Sequence, residues 1–78
     1  MLFKEAVSKR IFQLCDKYGY SPNKLAEMSA IPPSTLRATL AAKVENPSAS
    51  VIYKICRTLN IEVKEFFDDK LFDSSNLE

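Results

Sequence analysis

The sequence predicts an all-α fold, a compact bundle of five short helices. Three observations favour it: 46% of the 78 residues are hydrophobic, the chain has a single glycine, and apolar residues recur at the helical period in several segments. Each segment is short, so the helices must pack against one another to bury their apolar faces. The length predicts one domain, which we expect over residues 1–69, followed by a flexible acidic tail over residues 70–78.

The first helix carries the clearest apolar stripe, with positions at i, i+4, i+7, i+8 and i+11 on one helical face. Phe3 extends this stripe backward. Gly19 follows it directly, and glycine readily takes the left-handed conformation that ends many helices. The stripe consists of Val7, Ile11, Leu14, Cys15 and Tyr18.

Residues 21–40 predict two short amphipathic helices joined by a tight turn at residues 29–31. The first helix runs from Pro22 to Met28, because Ser21 is a good N-cap and proline fits the opening turn. The second begins at Pro32-Pro33, since proline is tolerated at a helix entrance, and ends near Leu40. The residues expected to meet inside this elbow are Leu25, Ala26, Ile31, Leu36 and Leu40, whereas Ser34, Thr35, Arg37 and Ala38 are expected to face outward.

A short exposed helix that is held rigidly by a second helix packed across it fits the major groove of DNA. The elbow therefore indicates a sequence-specific DNA-binding protein.

A polar connector over residues 41–47 leads to two further helices. Ser48 caps the fourth helix, and Asn60 ends it because asparagine accepts the left-handed conformation. A short fifth helix is predicted from about Val63 to Asp68. The apolar positions of these helices are Val51, Ile52, Ile55, Cys56 and Leu59 in the fourth and Val63, Phe66 and Phe67 in the fifth.

The composition argues against several classes of function. The chain has no histidine, no glycine-rich phosphate loop and no serine or cysteine with a plausible base, so no enzyme is predicted. Cys15 and Cys56 alone do not make an ordinary zinc site, and we interpret them as buried apolar thiols, with no metal or cofactor. No apolar run approaches the roughly 18 residues of a membrane span, and the N-terminus lacks a signal-peptide pattern. We therefore expect a cytoplasmic protein.

The charge is distributed unevenly along a chain whose net charge is only +1. Residues 1–57 hold nine Lys and Arg residues against four acids, a net of +5. Residues 58–78 hold two lysines against six acids, a net of −4. The asymmetry predicts a mildly basic face and an acidic C-terminal end kept away from it.

The ordered series of residues from Val7 to Phe67 resembles the Cro-repressor-type helix-turn-helix superfamily, also called the Xre family, with its lambda-repressor-like DNA-binding domain. No single piece of the series is specific to the family, but the occurrence of all the pieces in this order over about sixty residues is a strong signal. The matching pieces are Arg10-Ile11, Leu14, Gly19-Tyr20-Ser21, Leu25-Ala26-Glu27, Ile31, Ser34-Thr35-Leu36, Lys43, Asn46-Pro47-Ser48, Ile55-Cys56, Leu59-Asn60-Ile61 and Glu65-Phe66-Phe67.

The resemblance implies that the third helix is the recognition helix. Arg37 is the base-reading candidate that can bind guanine bidentately, and Lys43 suits a phosphate because it is a flexible point charge. The implied base-reading residues are Pro33, Ser34, Arg37 and Ala38, and the implied contacts to the DNA backbone are Arg10, Ser21, Asn23, Lys24, Thr35 and Lys43. The implied function is a bacterial or phage transcriptional regulator, a repressor that binds a near-palindromic operator in double-stranded DNA as a homodimer.

The chain departs from the family pattern at several positions. Pro22 stands where a phosphate-binding glutamine is frequent, and Ala41-Ala42 replaces a frequent Asn-Gly. Leu40 stands where a glutamate often pairs with the arginine of helix 1, which leaves the partner of Arg10 unassigned, and Thr39 stands where an aliphatic residue is usual. The recognition surface is therefore poor in hydrogen-bonding groups, and its specificity is expected to depend on Arg37, methyl contacts and DNA shape.

Two interpretations of the C-terminal apolar residues stay open at this point. The residues Phe66, Phe67, Leu71 and Phe72 form either a cap on the core or a dimer interface. The alternative function is a protein-interaction module, antitoxin-like or regulator-binding, that uses the same fold and its acidic C-terminal end to bind a regulatory protein partner.

Overall fold

The computed structural model describes all 78 residues and contains no strand. The predicted all-α bundle of five helices is confirmed. None of the helices combines the length and apolar character needed to cross a lipid bilayer. The elements are α1 (Phe3–Tyr18), α2 (Pro22–Met28), α3 (Pro33–Leu40), α4 (Ala49–Leu59) and α5 (Val63–Phe67), followed by a turn of 3-10 helix over Lys70–Phe72.

The helix starts follow from local side-chain chemistry. The Ser21 hydroxyl accepts a hydrogen bond from the Lys24 amide at 3.1 Å and caps α2. The Ser48 hydroxyl accepts from the amides of Ser50 and Val51 at 3.0 and 3.4 Å and caps α4. Both predicted caps are confirmed. The predicted bounds of α2 also hold, whereas α5 ends at Phe67, one residue earlier than predicted.

Four helices are followed within two residues by a residue with a left-handed backbone. Gly19 and Asn60 have φ +76° and +56°, as predicted. Ala30 after α2 and Ala42 after α3 also adopt φ +55° and +56°, although alanine does not favour this region. After α3, the Lys43 amide donates to the Ala38 carbonyl and the Ala42 amide to the Thr39 carbonyl, a Schellman arrangement. The turn between α3 and Lys43 thus requires a left-handed backbone at position 42, where the chain has alanine.

Replacing Ala42 with glycine is expected to stabilise the protein by about 0.5–1 kcal/mol. Glycine removes the steric cost of φ +56°, which exceeds the entropy that it adds to the unfolded chain. Urea unfolding measures the change. The matched control is Ala41→Gly, because Ala41 has φ −82° and gains nothing from glycine there. A lower free energy of unfolding in the Ala42→Gly variant would contradict the left-handed backbone conformation of residue 42.

Thirteen buried side chains form one apolar core to which all five helices contribute. Leu25, Ala26, Ile31 and Leu36 meet inside the elbow as predicted, and Leu40 packs half-buried against them. Cys15 and Cys56 are buried and free, and burial raises the pKa of both thiols. Both therefore remain neutral and act as small apolar residues. The full core is Val7, Ile11, Leu14, Cys15, Leu25, Ala26, Ile31, Leu36, Ile52, Ile55, Cys56, Leu59 and Phe66.

Arg10 attaches α1 to the end of α5. Its guanidinium donates to the carbonyls of Glu65 and Phe66, each at 2.7 Å, and lies 3.4 Å from the Asp69 carboxylate. These bonds satisfy carbonyls at the end of a helix of only five residues. The side chain is 12% exposed. The partner of Arg10 is thus α5, and the guanidinium is not free for the phosphate contact that was expected of it.

Four aromatic rings from both ends of the chain pack on one another. Phe66 is fully buried, and its ring centre lies 5.0 Å from that of Phe67. Phe72 lies 4.9 Å from Phe67, and Phe3 lies 6.4 Å from Phe67 and 6.1 Å from Phe72. Leu71, which directly precedes Phe72 in the chain, is half-buried. These contacts lie within one chain and favour the interpretation of a cap on the core.

The segment after residue 69, for which a flexible tail is predicted, contacts the bundle in the structure. Its first three residues form the 3-10 turn, and Phe72 packs on Phe67. The Asn76 side-chain amide donates to the Lys70 carbonyl, and the Asn76 carbonyl accepts from the amino group of Met1, both at 2.6 Å. Phe72 holds the segment back against the bundle, because burying its ring removes apolar surface from water.

Candidate nucleic-acid interface

The outer side of α3 forms one shallow concave surface, which we call the α3 surface. Three of the four predicted base-reading residues, Ser34, Arg37 and Ala38, lie on it together with Lys43. Arg37 and Lys43 are exposed, and neither forms an ion pair. No acidic residue lines this surface, so its two cations are free to attract an anion. The full lining is Phe12, Ser34, Arg37, Ala38, Leu40, Ala41 and Lys43.

The buried side of α3 fixes the direction of these side chains. Leu36 and Thr39 are 2% and 3% exposed and face the bundle. The Thr39 hydroxyl donates to the Thr35 carbonyl at 3.0 Å, which satisfies a polar group at a position where an aliphatic residue is usual. The Ser8 hydroxyl of α1 donates to the Leu40 carbonyl at 2.6 Å and attaches the end of α3. The buried side of α3 is therefore packed against the bundle, and its outer side is exposed to solvent.

Pro33, the fourth base-reading candidate, lies beside the α3 surface rather than on it. It lines a narrow crevice between α2 and α3 together with Asn23 and Arg37. Both Pro33 and Asn23 are exposed. Arg37 lines the crevice as well as the α3 surface, so it connects the two sets of predicted residues.

The other residues that are predicted to contact phosphate differ in their exposure and in the partners that they already bind. Ser21 uses its hydroxyl as the cap of α2, and Lys24 lies 3.6 Å from Glu27 in an exposed pair. Thr35 is exposed but does not line the α3 surface, and Arg10 is bound to α5. Among these candidates, Lys43 alone combines an unpaired charge with a place on the α3 surface.

Phe12 was missed by the sequence analysis. It projects from α1, is 46% exposed, and lines the α3 surface together with Arg37 and Ala38. The available signal was an aromatic residue outside the apolar stripe of the first helix. A phenyl ring and an alanine methyl next to an arginine offer apolar contacts suited to the methyl group of thymine.

The side chains that commonly bind metal ions in proteins do not cluster in this structure. No group of three or more His, Cys, Asp or Glu residues lies close enough together to hold a metal ion. The α3 surface itself offers two cations, a hydroxyl and apolar groups.

Comparison with known proteins identifies the family. The family model that is described as the Cro/C1-type HTH DNA-binding domain matches residues 10–70. No curated protein and no solved structure gives a significant match. The matched range includes the elbow, α3, α4 and α5, and the resemblance found in the sequence is confirmed. The chain therefore belongs to the Cro/C1-type helix-turn-helix DNA-binding domain family.

Proposed function

We propose that the protein is a transcriptional repressor that binds a specific operator through the α3 surface and blocks access to a promoter. Membership of a DNA-binding family supports DNA as the ligand. The single observation that carries the proposal is the shared placement of Arg37 and Lys43, both unpaired, on the exposed side of α3. This gives one cation for a base and one for a phosphate on the same surface.

Recognition of bases is proposed to depend mainly on Arg37. Its guanidinium can donate two parallel hydrogen bonds to the O6 and N7 atoms of guanine. Ser34 adds one hydroxyl, and Ala38 and Phe12 add apolar contacts to thymine methyl groups. Few polar groups remain for other bases, so the shape of the DNA is expected to contribute to specificity.

The operator is proposed to be a near-palindrome bound by two copies of the chain. One recognition helix contacts only a few base pairs, and a two-fold dimer places two such helices about one turn of DNA, or about 10 base pairs, apart. Sedimentation of the chain with a duplex enriched from a random library tests this proposal. Two chains per duplex are expected, whereas one chain per duplex at saturation would contradict the homodimer.

Replacing Lys43 with alanine is expected to lower affinity about equally for operator and unrelated duplexes. The loss of one phosphate contact releases one counterion fewer, so the slope of log affinity against log salt should fall by about one. Fluorescence anisotropy over a salt series measures both effects. Lys9→Ala is the matched control, because Lys9 is an exposed lysine of α1 that does not line the α3 surface. Equal effects of the two substitutions would contradict the placement of Lys43.

A protein-interaction module is the second candidate function. A different concave surface is lined by three carboxylates (Glu62, Glu65 and Asp68), by Lys64 and by the half-buried ring of Phe67, which gives a net acidic surface with one apolar element. Under this alternative, Arg37→Ala and Lys43→Ala leave function unchanged in cells. Substitutions at Phe67 or the surrounding carboxylates abolish it instead.

A further inference from the structure

A second exposed surface, which the proposed DNA contact does not use, lies on α4 and the end of α2. We call Met28, Tyr53, Lys54 and Arg57 the α4 patch. Met28 and Tyr53 are 53% and 54% exposed, the highest values among the large apolar side chains. Met28, Lys54 and Arg57 line one groove, and the Arg57 guanidinium carbon lies 6.0 Å from the centre of the Tyr53 ring. The patch thus combines apolar and cationic groups.

Two hydroxyl groups that line this groove are already hydrogen-bonded within the chain. The Ser29 and Thr58 hydroxyls are 2.6 Å apart and join the end of α2 to α4. Thr58 also donates to the Lys54 carbonyl at 3.1 Å. Since these polar groups already have partners, the groups left to bind a ligand are the two cations and the two exposed apolar side chains.

The charges of the α4 patch have no partner within the chain. Neither Lys54 nor Arg57 forms an ion pair, and no acidic residue lines the groove. The groove shares no lining residue with the α3 surface. Tyr, Met and Arg are the residue types enriched in the centres of protein–protein interfaces.

We propose that the α4 patch binds an acidic segment of a partner protein, an interaction beyond the proposed DNA binding. Carboxylates of the segment pair with Lys54 and Arg57, while an apolar side chain of the segment packs on Met28 and Tyr53. A protein segment is favoured over a second stretch of DNA because a phosphate backbone offers no apolar group to pack against the exposed Met28 side chain.

The test begins with selection of random peptides displayed on phage against the full chain. We expect enrichment of peptides that combine Asp or Glu with a large apolar residue. Selected peptides are then synthesised, and their affinity is measured by fluorescence anisotropy at about 0.15 M salt. The double substitution Lys54→Glu/Arg57→Glu should weaken binding by on the order of tenfold or more. Tyr53→Ser should weaken it several-fold without changing the charge.

The matched control is Lys9→Glu/Lys17→Glu, which makes the same change of net charge on exposed residues of α1. It should change peptide affinity by less than about twofold, and circular dichroism should show the helical content of both double variants unchanged. The proposal would be overturned by the absence of enriched acidic peptides, by equal weakening in both double variants, or by displacement of the peptides by operator DNA. A dimer of the chain that the patch substitutions dissociate would instead identify a second copy as the occupant, and would also overturn it.

Discussion

Arg37→Ala is expected to weaken operator binding by about 1–3 kcal/mol and to abolish the preference for guanine at one position of each half-site. The reason is that Arg37 is exposed, unpaired, and the only residue of the α3 surface that can donate two parallel hydrogen bonds to a base. Its loss leaves the O6 and N7 atoms of guanine without protein partners. Fluorescence anisotropy with the operator and with single-base variants measures both effects.

Two controls separate base recognition from charge. Arg37→Lys retains the charge but loses the planar pair of donors, so guanine preference should fall, although less than in Arg37→Ala because an ammonium group still donates to O6 and N7. Replacing the guanine with 7-deazaguanine removes the N7 acceptor, which should weaken the unsubstituted protein and leave Arg37→Ala unaffected. If Arg37→Ala lowers affinity for all duplexes equally, Arg37 contacts phosphate and the assignment to guanine is wrong.

Phe66→Ala is expected to destabilise the protein by about 3–5 kcal/mol. Phe66 is a fully buried side chain, and its ring packs against Phe67 and Phe72 at 5.0 and 6.1 Å. Alanine leaves a cavity at the point where α5 joins the bundle, next to the carbonyl that Arg10 binds. In a chain of 78 residues this is a large share of the total stability.

Urea unfolding followed by circular dichroism measures the loss at Phe66. The matched control is Phe12→Ala, because Phe12 is 46% exposed and should change stability by no more than about 0.5 kcal/mol. Similar losses at the two positions would show that Phe66 is not a central core residue.

The helix boundaries were largely predictable because they depend on residues close in sequence. Ser21 and Pro22 begin α2, Pro33 begins α3, and Ser48 begins α4 through contacts within a few residues. Each of these signals acts through the backbone of its own first turn. The helical period alone then placed Leu36 inside the bundle and Arg37 outside it.

The order of the C-terminal segment was not predictable from local signals. Arg10 reaches a carbonyl 56 residues away, and Phe72 packs on Phe3 from the other end of the chain. Such contacts arise only when the helices are assembled, whereas the local pattern of a short polar segment with two apolar residues predicts a flexible tail. The left-handed backbones of Ala30 and Ala42 were not predictable from residue type either, because alanine alone does not favour this conformation.

The candidate site was predictable to different degrees. Arg37, Ser34 and Ala38 follow from the helical period, whereas Lys43 lies beyond the end of α3 and was assigned from the family resemblance. Phe12 was missed because its place beside α3 depends on how α1 crosses that helix, and the helical period of α1 alone does not reveal that crossing.

The central claim is that the α3 surface reads a specific operator, and selection from a random duplex library at about 0.15 M salt tests it most directly. The predicted result is enrichment of a near-palindrome whose half-sites lie about 10 base pairs apart and share a guanine, with that guanine lost when Arg37→Ala is used. Absence of an enriched sequence, or weak binding that disappears as salt rises, would contradict the claim.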